Sequence, residues 1–308
     1  MAFFEMDPTT TEIGERLVAT ILRDNAELGL TADTLCVTLL LHPSRGGAPK
    51  GFAHNGDKPF YPCSVIKIFW MAAAYHCLET GAIKPHAELD RALHDMIKWS
   101  SNTATNYIID LVTGTTGDTL LEGQALDDWI DKRSWANRWI RSFGWPEMTP
   151  INVAQKNMDD DRYGRERQLV DALGHNALTT NATARLMHAI LDDAHFSDDS
   201  RKAMRSLLSR PFDRAWVEAH PSAQINGYFG QDLPQDAKLW SKAGWTGWTG
   251  DERASYRRHD AARIEVPGLA PFTLVIFTQG KPLSESLITL PRAATSLIAI
   301  LRETGVKA

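Results

Sequence analysis

The order of strand-like and helix-like segments along the chain constrains the fold most strongly. Alternating or β-branched apolar runs, which are typical of strands, occur at 35–43, 50–57, 239–246, 254–266 and 272–280. Helical spacing of apolar residues fills most of the chain from Ser64 to about Ile190. The short links between the three late strands favour antiparallel pairing. The sequence therefore predicts an α+β fold, in which a five-stranded antiparallel sheet flanked by helices carries an inserted all-helical lobe.

The two ends of the chain supply the flanking helices. Apolar residues recur at helical spacing over 9–29, and the segment 286–303 is typical of an apolar helix. We predict an α/β lobe over 1–60 and 195–308 and an all-helical lobe over 61–194. The functional site is expected in the cleft between these two lobes.

Composition and charge narrow the classes of function. The chain has 308 residues, of which 43% are hydrophobic and 23% charged, and its formal net charge is −5, whereas nucleic-acid binding usually requires a basic face. It contains no apolar run of the roughly 18 residues that a membrane span requires. The first residues lack the basic and apolar regions of a signal peptide. We therefore expect a protein without nucleic-acid or membrane partners, located in the cytoplasm unless a leader has been removed.

The cysteine and histidine patterns predict no metal site and no organic cofactor. The three cysteines, Cys36, Cys63 and Cys77, fit no zinc-binding spacing, and we interpret them as buried thiols. The ten histidines include no H-x-x-x-H pair. His76, His188 and the other histidines are therefore expected to be ordinary core or surface residues.

A lysine lies inside the apolar run YPCSVIKIFW at 61–70. Lys67 must find polar partners there or lose its charge, because burial of an unpaired ammonium group is costly. Ser64 lies three residues earlier, nearly one helical turn, so the two side chains share one helix face. A serine hydroxyl is a poor nucleophile unless a base takes its proton, and a buried lysine with a lowered pKa can be that base. The alternative is a helix-capping serine followed by a surface lysine.

Two later segments contribute polar residues to the same pattern. The segment MIKWSSNTATNYII places Ser100 and Asn102 at the start of an apolar helical stretch. The segment LWSKAGWT places Lys242 and Gly244 on a predicted strand. The order S-x-x-K, S-x-N, K-x-G is found in penicillin-binding proteins and class A β-lactamases. On these residues, and on the likeness of SSNTATN to that family's SDNTAAN, the chain resembles the class A-like serine β-lactamase and penicillin-binding protein (DD-peptidase) superfamily, over roughly residues 32–303.

The resemblance implies a fold and a reaction. The fold would be that of β-lactamases and transpeptidases, and the reaction would pass through an acyl-enzyme. Ser64 would be the acylated nucleophile, Lys67 its base or proton relay, and Ser100 the group that passes a proton to the leaving group. Each implied role also has a physical sense, because acyl transfer needs a nucleophile, a proton path and preorganised donors.

The resemblance also implies residues that bind the substrate. Asn102 would hydrogen-bond the substrate's side-chain amide, and Lys242 would attract a substrate carboxylate. The backbone N–H groups of Ser64 and Trp245 would form the oxyanion hole. Gly244, the glycine of the third motif, belongs to the same substrate-binding strand.

Three positions depart from the family pattern. The middle residue of the second motif is Ser101 rather than aspartate. The third motif has Ala243, which removes a hydroxyl that in relatives helps to hold the substrate carboxylate. Trp245 is bulky for a residue on the oxyanion strand.

The loop glutamate that activates the deacylating water in class A enzymes has only a partial counterpart. Glu166, in the segment ERQLV, is the nearest match but lacks the family's asparagine. Counting forward from Gly144 leads instead to Asn157, where no glutamate stands. Asp159, Asp160 and Asp161 are alternatives, and an exposed loop without a catalytic role is a further one.

We expect a serine hydrolase that forms an acyl-enzyme on Ser64 and hydrolyses a β-lactam or a related small amide or ester. One alternative is a cytoplasmic esterase or transacylase of a biosynthetic pathway. Another is a non-catalytic member of the family that binds a ligand. The presence of all the polar residues of the three motifs favours catalysis over the last alternative.

Overall fold

A six-stranded antiparallel sheet forms the centre of the protein, whose computed structural model describes residues 3–43, 47–116, 119–157 and 164–306. The strand order is β2-β1-β6-β5-β4-β3, with β1 (Leu35–Leu41), β2 (Lys50–His54), β3 (Ser209–Arg210), β4 (Lys238–Thr246), β5 (Arg257–Glu265) and β6 (Phe272–Gln279). Every neighbouring pair is antiparallel, so the predicted α+β fold is confirmed. The sheet has six strands rather than five, because the two-residue edge strand β3 is too short to produce a sequence pattern.

Helices cover both faces of the sheet. Their bounds are α1 (Pro8–Asp24), α2 (Lys67–Glu79), α3 (Ala87–Lys98), α4 (Asn102–Thr113), α5 (Gly123–Arg133), α6 (Trp135–Arg141), α7 (Gly164–Leu173), α8 (Thr180–Leu191), α9 (Asp198–Leu208), α10 (Arg214–Ala219), α11 (Lys281–Glu285) and α12 (Thr289–Thr304). None of the described helices is both long and apolar enough to cross a membrane.

Strand β1 illustrates how the sheet separates two cores. All seven of its residues are buried, since successive side chains point to opposite faces. Leu35, Val37 and Leu39 join the apolar core that α1 and α12 cover. Cys36 and Leu40 join the core formed with α2, α3, α4 and α8. The helical block therefore shares a core with one face of the sheet, while the division into lobes at 61–194 stays a prediction.

Helix α2 is central in that second core. Its residues from Lys67 to Ala74 are all buried, which explains the uninterrupted apolar run around a single lysine. The three cysteines, Cys36, Cys63 and Cys77, are buried and free, as the sequence predicts.

Candidate active site

Ser64 is the one partly exposed side chain in a long buried stretch. All the residues from Phe60 to Ala74 except Ser64 are buried. Ser64 lies in a 3-10 helix, Cys63–Ile66, that leads directly into α2. Among the described residues, none hydrogen-bonds the Ser64 hydroxyl. The fold thus presents this hydroxyl at the surface of an otherwise closed core.

Lys67 finds its polar partners on the segment that precedes α4. Its Nζ donates to the Ser100 carbonyl at 2.5 Å, to the Ser100 hydroxyl at 3.3 Å and to Asn102 Oδ1 at 2.8 Å. Burial lowers the pKa of Lys67 to about 7, because desolvation disfavours the ammonium form and all three partners are neutral oxygens. The lysine in the apolar run is therefore bonded into a polar cluster and titrates near neutral pH.

Ser100 has a strained backbone that its neighbours hold in place. Its φ is 57°, in the left-handed region that non-glycine residues rarely adopt. Lys67 binds its carbonyl, and Ser101 caps α4 by accepting a hydrogen bond from the Ala104 N–H at 3.2 Å. Serine and aspartate are both good N-caps, so Ser101 supplies the cap although it departs from the family pattern.

Lys242 approaches the same hydroxyl from the sheet. Its Nζ donates to Ser100 Oγ at 2.9 Å, to Gln224 Oε1 at 2.6 Å and to the Ala243 carbonyl at 2.7 Å. Complete burial, together with the charges of Lys67 and Arg210, holds the pKa of Lys242 well below its usual range. Two buried ammonium groups therefore converge on one serine hydroxyl.

Gln224 is a site residue that the sequence did not indicate. Its φ of 56° is again left-handed, and its side chain accepts from Lys242. Five described non-glycine residues have a positive φ, and Cys63, Ser100 and Gln224 are three of them. Such strain concentrates at functional sites, where surrounding contacts maintain it. No motif surrounds Gln224, so only its backbone conformation and its contact with Lys242 identify it.

Gly244 permits strand β4 to approach the nucleophile segment. A Cβ at this position would lie 2.7 Å from the Ser64 backbone nitrogen and 2.8 Å from Cys63 Cβ, so any larger residue would force the two segments apart. Trp245 follows directly, which brings its backbone close to that of Ser64. This juxtaposition is what the predicted oxyanion hole requires, and the role itself stays a prediction.

The bulky side chain of Trp245 is accommodated outside the cluster. Its indole is 47% exposed, and its Nε1–H donates to the Ser284 carbonyl of α11 at 2.7 Å. The indole is therefore bonded to α11 and remains largely exposed to solvent.

Glu166 is held in a separate buried ionic cluster. Its Oε1 accepts from Arg133 Nη1 at 2.5 Å and its Oε2 accepts from the Lys156 backbone at 3.2 Å. Arg133 and Lys156 both bind Asp110 as well, at 3.1 and 2.7 Å. Burial raises the pKa of Glu166, against the opposing effect of Arg133.

The ionic cluster consists of Asp110, Arg133, Lys156 and Glu166, and the polar cluster consists of Lys67, Ser100, Asn102 and Lys242. The two clusters contact different parts of helix α4. Asp110 is eight residues beyond Asn102, which corresponds to about 12 Å at about 1.5 Å per residue. No contact in the described residues joins Glu166 to Ser64 or Lys67. The structure therefore does not bring Glu166 together with the other predicted site residues, and its role in deacylation stays a prediction. Asp159, Asp160 and Asp161 lie outside the described residues.

Asn157 lies closer to the polar cluster than Glu166 does. Its backbone N–H donates to Asn106 Oδ1 at 3.2 Å, and Asn106 is one helical turn beyond Asn102. The Asn157 side chain is 5% exposed, and its Nδ2 has no hydrogen-bond partner in the described structure. The described loop thus carries an amide, and not a carboxylate, to this part of α4.

One histidine–carboxylate group has the composition of a metal site but is already paired. His42 Nδ1 and His188 Nδ1 lie 3.6 and 3.4 Å from Asp192 Oδ2. Arg263 Nη1 donates to that same oxygen at 2.8 Å. The guanidinium supplies the positive charge that a cation would bring, so the group is explained as an ion-pair cluster.

A protein-family model matches more than half of the chain. The Beta-lactamase enzyme family model matches residues 86–300. The chain belongs to this family. The matched region contains Ser100, Asn102 and Lys242, whereas Ser64 and Lys67 precede it and are connected to it by the contacts above. Membership of this family supports a hydrolase activity of the β-lactamase kind, and no curated protein matches the sequence.

Solved β-lactamase structures share the fold. A β-lactamase from Sphaerobacter thermophilus is 21% identical, with a TM-score of 0.61, and the alignment covers 94% of this chain and 97% of that one. A representative of class A β-lactamase from Bacteroides cellulosilyticus is 14% identical, with a TM-score of 0.65 and coverage of 94% and 99%. A β-lactamase from Xanthomonas campestris is 16% identical, with a TM-score of 0.64 and coverage of 94% and 99%. At these identities the likeness establishes the fold.

Proposed function

We propose that the protein is a serine hydrolase that forms an acyl-enzyme on Ser64 and hydrolyses a β-lactam or a related small amide or ester. The observation that carries the proposal is the convergence of Lys67 and Lys242 on the Ser100 hydroxyl, at 3.3 and 2.9 Å. This cluster borders the one partly exposed hydroxyl of the buried stretch, that of Ser64.

The cluster supplies the groups that a proton path for acylation needs. With a pKa of about 7, Lys67 is partly neutral near pH 7 and can accept the Ser64 proton as the hydroxyl oxygen attacks the substrate carbonyl. The proton then moves through the Ser100 hydroxyl to the leaving nitrogen or oxygen. As the bond to that atom breaks, the acyl group remains as an ester on Ser64. Hydrolysis by water then regenerates the serine.

The same residues can hold a small substrate. Since Lys67 donates to Asn102 Oδ1, the Asn102 amide N–H group remains to donate to a substrate carbonyl. Lys242 is fully buried with three acceptors, so it would act on a substrate carboxylate indirectly, through the Ser100 hydroxyl. Backbone donors at Ser64 and Trp245 would stabilise the oxyanion.

The second candidate function is an esterase or transacylase acting on small molecules in the cytoplasm. The observation that favours it is the loop, where Asn157 lies near α4 and both oxygens of Glu166 are bonded elsewhere. The described part of the loop brings no carboxylate to this part of α4, and an acyl-enzyme without an activated water would last long enough for another acceptor to take the acyl group.

The experiment that tests acylation uses a fluorescent penicillin together with a panel of activated esters and amides. Intact-mass spectrometry and peptide mapping should locate a single adduct on Ser64, and Ser64→Ala should abolish it. Cys63→Ala is the matched control, because burial raises the pKa of the Cys63 thiol to about 12 and makes it a poor nucleophile. An adduct on any other residue, or unchanged labelling of Ser64→Ala, would overturn the proposal.

The lifetime of the adduct separates the two candidate functions. A brief adduct with release of the free acid supports the hydrolase. An adduct that persists in water but decays when an amine or alcohol acceptor is added supports the transacylase.

A further inference from the structure

A basic cavity lies where the carboxyl ends of α3 and α9 meet strands β3 and β4. Its volume is about 500 Å³. Its described walls include four cationic side chains, Lys98, Lys202, Arg205 and Arg210, and no carboxylate. Nothing in the proposed reaction at Ser64 uses this cavity, so its charge requires a separate explanation.

Two of the four cations serve the protein's own backbone. Lys98 Nζ donates to the carbonyls of Ser206 and Ser209 at 3.0 and 2.5 Å. Arg210 is 5% exposed and donates to the Ser241 carbonyl at 2.8 Å and to the Ile97 carbonyl at 2.9 Å. Cations near the carboxyl ends of helices are stabilising, which accounts for both residues. These contacts satisfy hydrogen-bond donors, and Arg210 also interacts electrostatically with the buried carboxyl group of Asp260, which leaves Lys98 without an acidic neighbour in the cavity wall.

Backbone contacts explain the other two cations only in part, since Arg205 Nη1 donates to the Leu191 carbonyl at 3.4 Å. Lys202 is exposed, and the described residues provide no acidic partner for it. Arg205 lies 3.6 Å from Glu265, which Lys238 also approaches at 3.7 Å. One carboxylate is thus shared between two cations, and it does not line the cavity. In a chain of net charge −5, the cavity is a local excess of positive charge that attracts anions.

The geometry of Arg205 favours a phosphate group. Its guanidinium carbon lies 4.3 Å from the centroid of the Trp240 ring, and this stacking orients the planar fork of donors. Such a fork binds phosphate oxygens bidentately, while an ammonium group such as that of Lys202 binds them as a point charge. We propose that this cavity binds the phosphate group of a small molecule.

Isothermal titration calorimetry tests the proposal with inorganic phosphate, pyrophosphate and phenyl phosphate at a fixed ionic strength. We expect saturable binding of one equivalent for at least one of these probes. Tightest binding of inorganic phosphate or pyrophosphate identifies a free anion as the ligand, whereas tightest binding of phenyl phosphate identifies a phosphate ester. The absence of saturable binding by all three would overturn the proposal.

Variants then locate the site. Lys202→Ala and Arg205→Gln change side chains at the cavity surface and should each weaken binding at least about tenfold, because charge-assisted hydrogen bonds are the strong ones. Lys238→Ala is the matched control, since it removes one positive charge beside the same Glu265 but lies outside the cavity. It should change the affinity by less than about twofold, as expected for a screened surface charge. If Lys238→Ala weakens binding as much as Lys202→Ala, or if neither cavity variant weakens it, the anion binds elsewhere and the proposal fails.

Discussion

The polar cluster at Ser64 and the ionic cluster at Glu166 solve the same problem in different ways. Both bury cations: Arg133 and Lys156 lie within the helical block, whereas the two lysines of the polar cluster come from helix α2 and strand β4. In the ionic cluster, Arg133 and Lys156 pair with the carboxylates of Asp110 and Glu166. In the polar cluster, the lysines meet only neutral hydroxyl, amide and carbonyl oxygens.

The difference lies in what each arrangement does to the cations. Charge pairing keeps a buried group ionised and fixed, which is useful for holding a loop against a helix. Neutral partners satisfy the donors but do not offset desolvation, so the pKa of Lys67 falls to about 7. A group that titrates near neutral pH can exchange protons with a substrate. We therefore expect a structural role for the ionic cluster and a chemical role for the polar cluster, and four experiments test this expectation.

The largest effect is expected from Arg133→Met. This change leaves Glu166 and Asp110 without their shared cation, and removal of one partner of a buried pair typically costs about 3–5 kcal/mol. Urea denaturation should show this loss in the free energy of unfolding, while the folded fraction still acylates Ser64. Arg138→Met is the control, because the Arg138–Asp131 pair is exposed and should contribute less than about 1 kcal/mol. Equal losses of the free energy of unfolding in the two variants would contradict a structural role for the ionic cluster.

Lys67→Met should reduce the acylation rate without reducing stability. Methionine fills the buried position without a charge, so the free energy of unfolding should hold or rise. The acylation rate should fall by on the order of 10² or more, as for a lost general base. Rapid-quench mass spectrometry with a fluorescent penicillin measures the rate. Normal acylation by a folded Lys67→Met protein would contradict the chemical role of the polar cluster.

Glu166→Gln tests whether the ionic cluster has only a structural role. If Glu166 only holds the loop, the variant should lose about 1–3 kcal/mol of stability, the cost of an imperfectly satisfied buried group. The lifetime of the acyl-enzyme should then equal that of the parent protein. If Glu166 activates the deacylating water, the adduct should instead form normally and persist. Single-turnover mass spectrometry distinguishes these outcomes. A persistent adduct would show that residues of both clusters take part in the reaction.

The most gradual expected effect is the pH dependence carried by Lys67. Acylation needs the neutral amine, so its rate should rise about tenfold per pH unit below the pKa and level off above it, with the pKa at about 7. The free energy of unfolding should also rise as the pH rises. Between the folded pKa near 7 and the ordinary lysine value, the unfolded chain binds more protons than the folded one, and stability then increases with pH. Lys67→Met should remove this contribution, and a pH-independent acylation rate in the parent protein would argue against a lysine base.

The sequence determined the elements and the chemical identity of the site. The alternation of apolar residues specified the five longer strands, because a residue's position within a strand decides which face it occupies. The lysine in a buried run was recognisable as a problem that needs polar partners, since a buried ammonium group without partners is unfavourable in any fold. Ser100, Asn102 and Lys242 were identifiable as candidates from their motifs alone.

The tertiary structure decided which of these residues meet and which do not. Lys242 and the hydroxyl it binds are 142 positions apart in the chain, and Gln224 has no motif at all. Strand β3 exists only because Ser209 and Arg210 find the edge of β4. Glu166 matched a catalytic pattern only in part, and its carboxylate binds Arg133, 33 positions away. Hydrogen bonds and ion pairs form between whichever groups the packed core brings within about 3 Å, and local sequence carries no record of a partner that folding brings from another part of the chain.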